Sequence, residues 1–383
     1  MVVSLRLRQT ACVLGGAFVA VALGACTKDS GDNRSGQTIT PTAAQQANAT
    51  EQTGAQVQEA VEAIEAVETS TTALGLAAGD SDNMAPTVTC TPSTTDDGTV
   101  TVVEKRDFEV VRENSNQRLT RSLTMTMDST RTRVWTPPSG GAALGCNQAN
   151  RANIDWINAA AVNGLNMAVT IDETRSMDLD FALTRQNGAK LEWTLERAVE
   201  VDGTRNVDHS EHSVSGTTLS ILRTVSSNVT RQESGTRRKG GGAAGAQTGV
   251  ETEDYSMTHT NTTAEDAPMK IRTVIDSGTK KWTQKTIESG TFESTESSSS
   301  QKVTSVFENV VFGADSCLPT GGTIKGTVTN AEGQQLQSFV ITFGTETDSK
   351  VSIAYDGGEA QDFPTASEYA DGCSFANWSK AGG

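Results

Sequence analysis

From Gly98 to Phe312 the chain alternates apolar and polar residues with a period of two, and this pattern restricts the fold more than any other feature. Leu119, Arg121, Leu123, Met125 and Met127 alternate with Thr120, Ser122, Thr124 and Thr126. Leu165, Met167, Val169 and Ile171 repeat the spacing. Met177, Leu179, Phe181 and Leu183 then face one way, while Asp178, Asp180 and Thr184 face the other. After Asn187-Gly188, Leu191, Trp193 and Leu195 continue on a return strand. That dipeptide suits a type I′ hairpin turn, whose two central positions both need positive φ. Successive side chains of a strand point to opposite faces, so the pattern predicts a sheet with one buried and one wet face.

Further turn signals stand at Asp202-Gly203, at Ser215-Gly216 and at three copies of an acidic residue followed by Ser-Gly-Thr, starting at Glu233, Asp276 and Glu288. Short runs punctuated this regularly predict an antiparallel meander of about 10 to 13 strands. The alternation lapses between Pro137 and Val162, where Ile154, Ile157, Ala161 and Val162 predict a short helix. Residues 204–214 and 250–264 are polar on both faces, with a glycine-rich stretch from Gly240 to Gly249 between them. They are expected to form a projecting hairpin region, with Arg237-Arg238-Lys239 at a mobile tip.

Strands are also expected at Gly322–Val328 and Ser338–Gly344, followed by a turn at Asp356-Gly357-Gly358. Cys90, Cys146, Cys317 and Cys373 fall as two pairs of identical separation. In an exported chain an even set suggests disulfides, and although four cysteines allow three pairings, this spacing favours Cys90–Cys146 and Cys317–Cys373. With no CxxC spacing and no histidine nearby, a zinc site is a poor reading. The C-terminal part, 313–383, reads as a small disulfide-closed β unit, either separate or the end of the sheet.

At the other end, Arg6 and Arg8 precede an apolar run from Ala11 to Ala25. About 15 residues fall short of the roughly 20 that a membrane-spanning helix needs, so the run predicts a cleaved signal peptide, residues 1–25. It closes Leu23-Gly24-Ala25-Cys26, which resembles the lipobox of bacterial lipoproteins. The resemblance covers only these opening residues. It implies that Cys26 receives lipid and that the chain sits in the outer membrane of a Gram-negative bacterium, attached to the membrane without spanning it. Residues 26–49, rich in Thr, Ser, Gln and Gly, read as a flexible tether. From Thr50 to Leu76, Val57, Val61, Ile64, Thr71 and Leu74 recur at helical steps, predicting an amphipathic helix packed on the sheet. Helix and meander together make up 50–312.

The formal net charge is −16, and removing the leader takes away only positive charge. An acidic chain argues against nucleic acid, whose phosphates need clustered Lys and Arg, and against adhesion to anionic lipid heads.

Catalytic signals are weak. In Asp208-His209-Ser210-Glu211-His212, regular strand geometry puts His209 and Glu211 on one face and His212 on the other, and His259 would have to join from a paired strand. The three histidines therefore read as exposed strand residues, and no metal or other cofactor is expected. No GxSxG nucleophile elbow and no HExxH motif occurs. Asp178 and Asp180 share a face, as paired carboxylates for glycosidase-like chemistry would, but alternation puts that face in water. Asp96-Asp97-Gly98 and Asp356-Gly357-Gly358 lack the EF-hand spacing and read as turns. Arg237-Arg238-Lys239 before three glycines is not a phosphate loop, because no GK[ST] follows.

The sequence thus describes a mainly β lipoprotein, a large antiparallel meander with one N-terminal helix and a C-terminal β unit, and no enzyme. The first functional expectation is a structural or protein-binding role in the envelope, with an envelope protein as partner. The alternative is a carrier of lipid or another hydrophobic ligand, in which the meander curls as a half-barrel under the helix as a lid. Its ligand-facing apolar surface would hold Leu123, Met125, Leu179, Phe181 and Trp193. A hydrolase with an unrecognised site is a weaker alternative.

Overall fold

The structure, a computed structural model, describes residues 86–363 except 96, 116–118, 148–149, 185–189, 243–250, 280, 298–300, 315–318 and 345–350. The signal peptide with Cys26, the tether, the 50–76 helix, Asn187-Gly188, Cys317 and Cys373 lie outside the described residues.

Alternating sequence becomes alternating burial. The first strands are β1 (Thr87–Pro92), β2 (Val100–Ser115) and β3 (Leu119–Thr136). Two short strands come next, β4 (Gly145–Cys146) and β5 (Ala152–Asn153), and then one helical turn, α1 (Ala159–Val162). The long strands are β6 (Asn166–Thr184), β7 (Lys190–Ser215) and β8 (Thr218–Gly242). After them run β9 (Glu251–Thr263), β10 (Met269–Asp276), β11 (Lys281–Glu296) and β12 (Gln301–Gly313). The last strands are β13 (Gly321–Thr329), β14 (Gln335–Phe343), β15 (Val351–Tyr355) and β16 (Gln361–Phe363).

All but β4 and β5 join one 14-stranded antiparallel sheet, ordered β1-β2-β3-β6-β7-β8-β10-β11-β12-β13-β14-β15-β16. β9 lies beside β10 in that order, pairing with β8 on one side and β11 on the other. β9 and β10 are therefore one strand interrupted by a jog at Ala264–Ala267, and the topology is the expected meander. β13 pairs with β12 along seven positions from Lys302↔Thr329 to Glu308↔Thr323, so the C-terminal strands continue the sheet. Among the described residues no helix is long and apolar enough to cross a membrane.

The buried face carries one apolar cluster across the sheet, from Val100 and Val102 through Met167, Val207, Ile271, Phe307 and Ile324 to Ile353 and Tyr355. A smaller cluster, Val162, Leu219 and Ile221, seals α1 against the β7–β8 hairpin end. Cys90 and Cys146 are disulfide-bonded, tying the edge strand β1 to β4.

Several turn signals lie inside strands instead. Asp202-Gly203 sits in the middle of the 26-residue β7. Glycine is needed there for close approach: a Cβ on Gly203 would stand 2.6 Å from the Asn228 carbonyl oxygen across the strand pair. Glu233-Ser-Gly-Thr lies within β8 and Glu288-Ser-Gly-Thr within β11. In the latter copy Gly290 has φ +147° and Asn309 on the neighbouring β12 has φ +49°, a distortion after which even-numbered residues such as Phe292 point inward in place of Lys285 and Ile287. Only Asp276-Ser-Gly-Thr is a turn, closed by backbone N–H groups of Gly278 and Thr279 donating to the Asp276 carboxylate at 2.8 and 3.1 Å.

The projecting-hairpin expectation for 204–214 is also corrected. Arg205, Val207, His209 and His212 are buried in the main sheet. Polar side chains enter this interior because each finds a partner, so polarity did not mean solvent. Arg237 and Arg238 form no tip. They pair with Leu195 and Thr194 on β7 and with Glu253 and Thr252 on β9, and the Arg237 guanidinium lies over the Tyr255 ring at 5.0 Å.

Candidate functional site: an apolar strip between arginines

Strand register places the side chains of β2, β3, β6, β7 and β8 in rows across one face. One row reads Arg112, Leu123, Leu179, Leu195, Arg237. A neighbouring row reads Val110, Met125, Met177, Arg197, and the row on the other side Arg121, Phe181, Trp193. The five residues expected on an apolar face, Leu123, Met125, Leu179, Phe181 and Trp193, are therefore adjacent on a single face. Leu179 and Leu195 are buried, and Leu123, Met125, Phe181 and Trp193 are half-buried. None of these six belongs to either core cluster.

A belt of ion pairs separates this strip from the main core. Glu104 accepts from Arg106 at 2.7 Å and from Arg133 at 3.1 Å. Glu173 is held by Arg175 and by Arg131 at 3.5 Å, and Ser129 Oγ donates to it at 3.3 Å. Glu233 accepts from Arg197 at 2.8 Å and Arg231 at 3.2 Å. Each carboxylate thus sits between two guanidiniums, leaving each group net positive. Burial alone would raise the Glu104 carboxyl, but Arg133 and Arg106 outweigh it and hold the group below the usual carboxylate range. Glu233 is held low in the same way, burial opposing and Arg197 with Arg231 prevailing.

Charge is sorted by face. Arg112, Arg121, Arg131, Arg133, Arg175, Arg197, Arg205, Arg223, Arg231 and Arg237 all share the parity of the apolar residues. Asp107, Glu109, Asp128, Asp172, Asp178, Asp180, Glu192, Glu196, Glu200 and Asp202 stand on the opposite face of the same strands. Asp178 and Asp180 are exposed there, as expected. Arg121 forms no ion pair among the described residues. The arginines escaped a reading that used them only as total charge. Their signal was their parity: Arg121 alternates in phase with Leu119, Leu123 and Met125.

The histidines sit elsewhere and are not exposed. A register shift between Ser210 and Ser213, with Glu211 at φ +47°, turns His212 inward, so His209 and His212 are both buried. The His209 ring lies 6.0 Å from Trp135 and 5.6 Å from Trp156, and its Nδ1–H donates to the Leu165 carbonyl at 3.0 Å. His212 Nε2–H donates to the Trp156 carbonyl at 2.6 Å. His259 is on β9, opposite Arg231, and half-buried. Among the described residues no group of three metal-ligating side chains exists.

Burial, reinforced by Arg223, lowers the His209 pKa to about 3. The fold holds it neutral, whereas the unfolded chain protonates it near pH 6.5. Its contribution is therefore complete above about pH 6.5 and is lost as pH falls toward 3, at up to about 1.4 kcal/mol per pH unit. Urea titrations of His209→Phe between pH 6.5 and 4.5 should show a flatter dependence than the parent chain. An unchanged slope would place the acid sensitivity elsewhere.

No protein-family model, no curated protein and no solved structure matches this chain, so the site stands on its own geometry.

Proposed function

We propose that this chain is a lipid-anchored envelope protein, acylated at Cys26 in a Gram-negative outer membrane, that acts by binding a hydrophobic ligand and not by catalysis. The observation that carries this reading is the apolar strip around Leu123, Leu179 and Leu195, which lies outside both core clusters. The Glu104, Glu173 and Glu233 ion pairs lie between the strip and the main core. A carrier needs such a seat, with apolar contacts for affinity and a few placed polar groups for orientation. The buried histidines, committed to backbone carbonyls, supply no nucleophile activation to support a hydrolase.

The structural or protein-binding reading draws on the opposite face, where the long strands present rows of Asp, Glu and Thr to solvent. Native mass spectrometry separates the two. The full mature chain with Cys26→Ala, exported and released from the periplasm, should carry a stoichiometric adduct of lipid mass. A bare protein that stays bare after incubation with envelope lipid extract would leave the protein-binding role.

A further inference from the structure

Going beyond the carrier reading, we infer that the strip is covered by this chain's own segment 50–76, the amphipathic helix expected from the sequence, which lies outside the described residues. Leu179 is 5% and Leu195 6% exposed, yet neither belongs to a core cluster. Phe108, Met127 and Val199, buried on the row beyond Met125 and Met177, stand outside the clusters as well. Side chains stand roughly perpendicular to a sheet, so strand neighbours shield their flanks and not their tips. Tips buried this deeply need a second layer. The described elements that leave the main sheet are elsewhere. α1 packs at the β7–β8 hairpin end, and β4–β5 lies against β1 and the start of β2. Both are at the far end of these strands from the strip.

Chain path, length and charge all favour this occupant. β1 begins at Thr87 opposite Lys105 and runs away from the strip, whose first row starts at Phe108 on β2. The chain before Thr87 therefore arrives from the strip's side. Residues 77–86 reach up to about 33 Å when extended, more than the roughly 14 Å from β1 across to β6. Along the strip, Arg175 to Leu183 on β6 runs about 27 Å, and Val57 to Leu74 runs about 26 Å as a helix. Glu51, Glu59, Glu62, Glu65 and Glu68 stand in a segment that has no Lys or Arg. The strip's rows carry Arg112, Arg121, Arg175, Arg197 and Arg237 against Glu233. Arginines already paired with carboxylates still leave that excess, and a positive local field favours an acidic partner.

The test places a benzoylphenylalanine photo-crosslinker in the full mature chain carrying Cys26→Ala. It stands either at Ile64, on the helix face that holds Val57 and Val61, or at Glu62 on the opposite face. After irradiation and proteolysis, the Ile64 probe should join peptides of β3, β6 or β7 that hold Leu123, Leu179 or Leu195, and the Glu62 probe should not. Ile64→Asp should in turn raise hydroxyl-radical oxidation of Met177 and Trp193 severalfold, while Met167 in the main core stays protected. No cross-link to these strands, or equal cross-links from both probes, would overturn the cover. Unchanged oxidation in a folded Ile64→Asp variant would do the same. A cross-link joining two chains would give the strip to a second copy and overturn it too. If Ile64→Asp fails to fold, Met167 is oxidised as well, and the photo-crosslink in the otherwise unchanged chain decides. Neither readout uses a ligand. A chain that cross-links as expected but carries no lipid keeps the cover and loses the carrier, and a lipid-bearing chain without the cross-link does the reverse.

Discussion

Replacing Glu104 with Gln is expected to lower folding stability by about 3–5 kcal/mol, the cost of stranding buried charge when one partner is removed. Glu104 is 3% exposed and is the shared counter-charge of Arg106 and Arg133. The variant keeps the shape and leaves two cations without it. Arg133→Met should cost clearly less, because Glu104 then retains Arg106. The pH dependence comes from the depressed carboxyl. A group held below its unfolded value contributes stability that is present above the usual carboxylate range and is lost as pH falls through the lower folded value. Glu104→Gln should therefore flatten the acid limb of the stability curve as well as lower its plateau. Urea unfolding at pH 7 and at pH 3 to 4 measures both. Equal losses for Glu104→Gln and Arg133→Met would show that the pairing is not shared as described.

Removing the Cys90–Cys146 bond by a Ser pair should cost roughly 4 kcal/mol in the loop-entropy model, given a separation of 56 residues. The effect should be local as well as global. β1 is an edge strand held along six residues by β2, and the disulfide is its covalent link to the β4–β5 segment. Hydrogen exchange in the double-Ser variant should show β1 amides losing protection before those of β7. A loss under about 1 kcal/mol, with β1 still protected, would mean that the noncovalent pairing suffices.

The local pattern of the chain was legible where the backbone is regular. Leu123, Met125, Leu179, Phe181 and Trp193 could be assigned to one face because a strand alternates whatever surrounds it. The turns at Ser215-Gly216 and Asp276 were legible for a similar reason, since φ requirements are local. The errors came where one signal has two meanings. Gly203 and Gly290 resemble turn glycines, yet one admits a close neighbouring strand and the other accompanies a bulge. The same ambiguity misplaced His212: a single distorted residue, Glu211, reverses the facing of the next residues along the strand.

The alternation and the strand propensities by themselves determined a mainly β chain, because they depend on nearest neighbours along it; the cysteine spacing favoured Cys90–Cys146 among three pairings, and the tertiary structure decided that bond. Only the tertiary structure decided the meaning of charge. A total of −16 argued against nucleic acid and against adhesion to anionic lipid heads, but a sum is blind to direction. Once register aligns the strands, most of their carboxylates fall on one face, while most of their arginines gather on the other with Glu104, Glu173 and Glu233 between them. Electrostatic recognition depends on the nearby field and not on the net charge. That field exists only after strands distant in sequence are placed side by side.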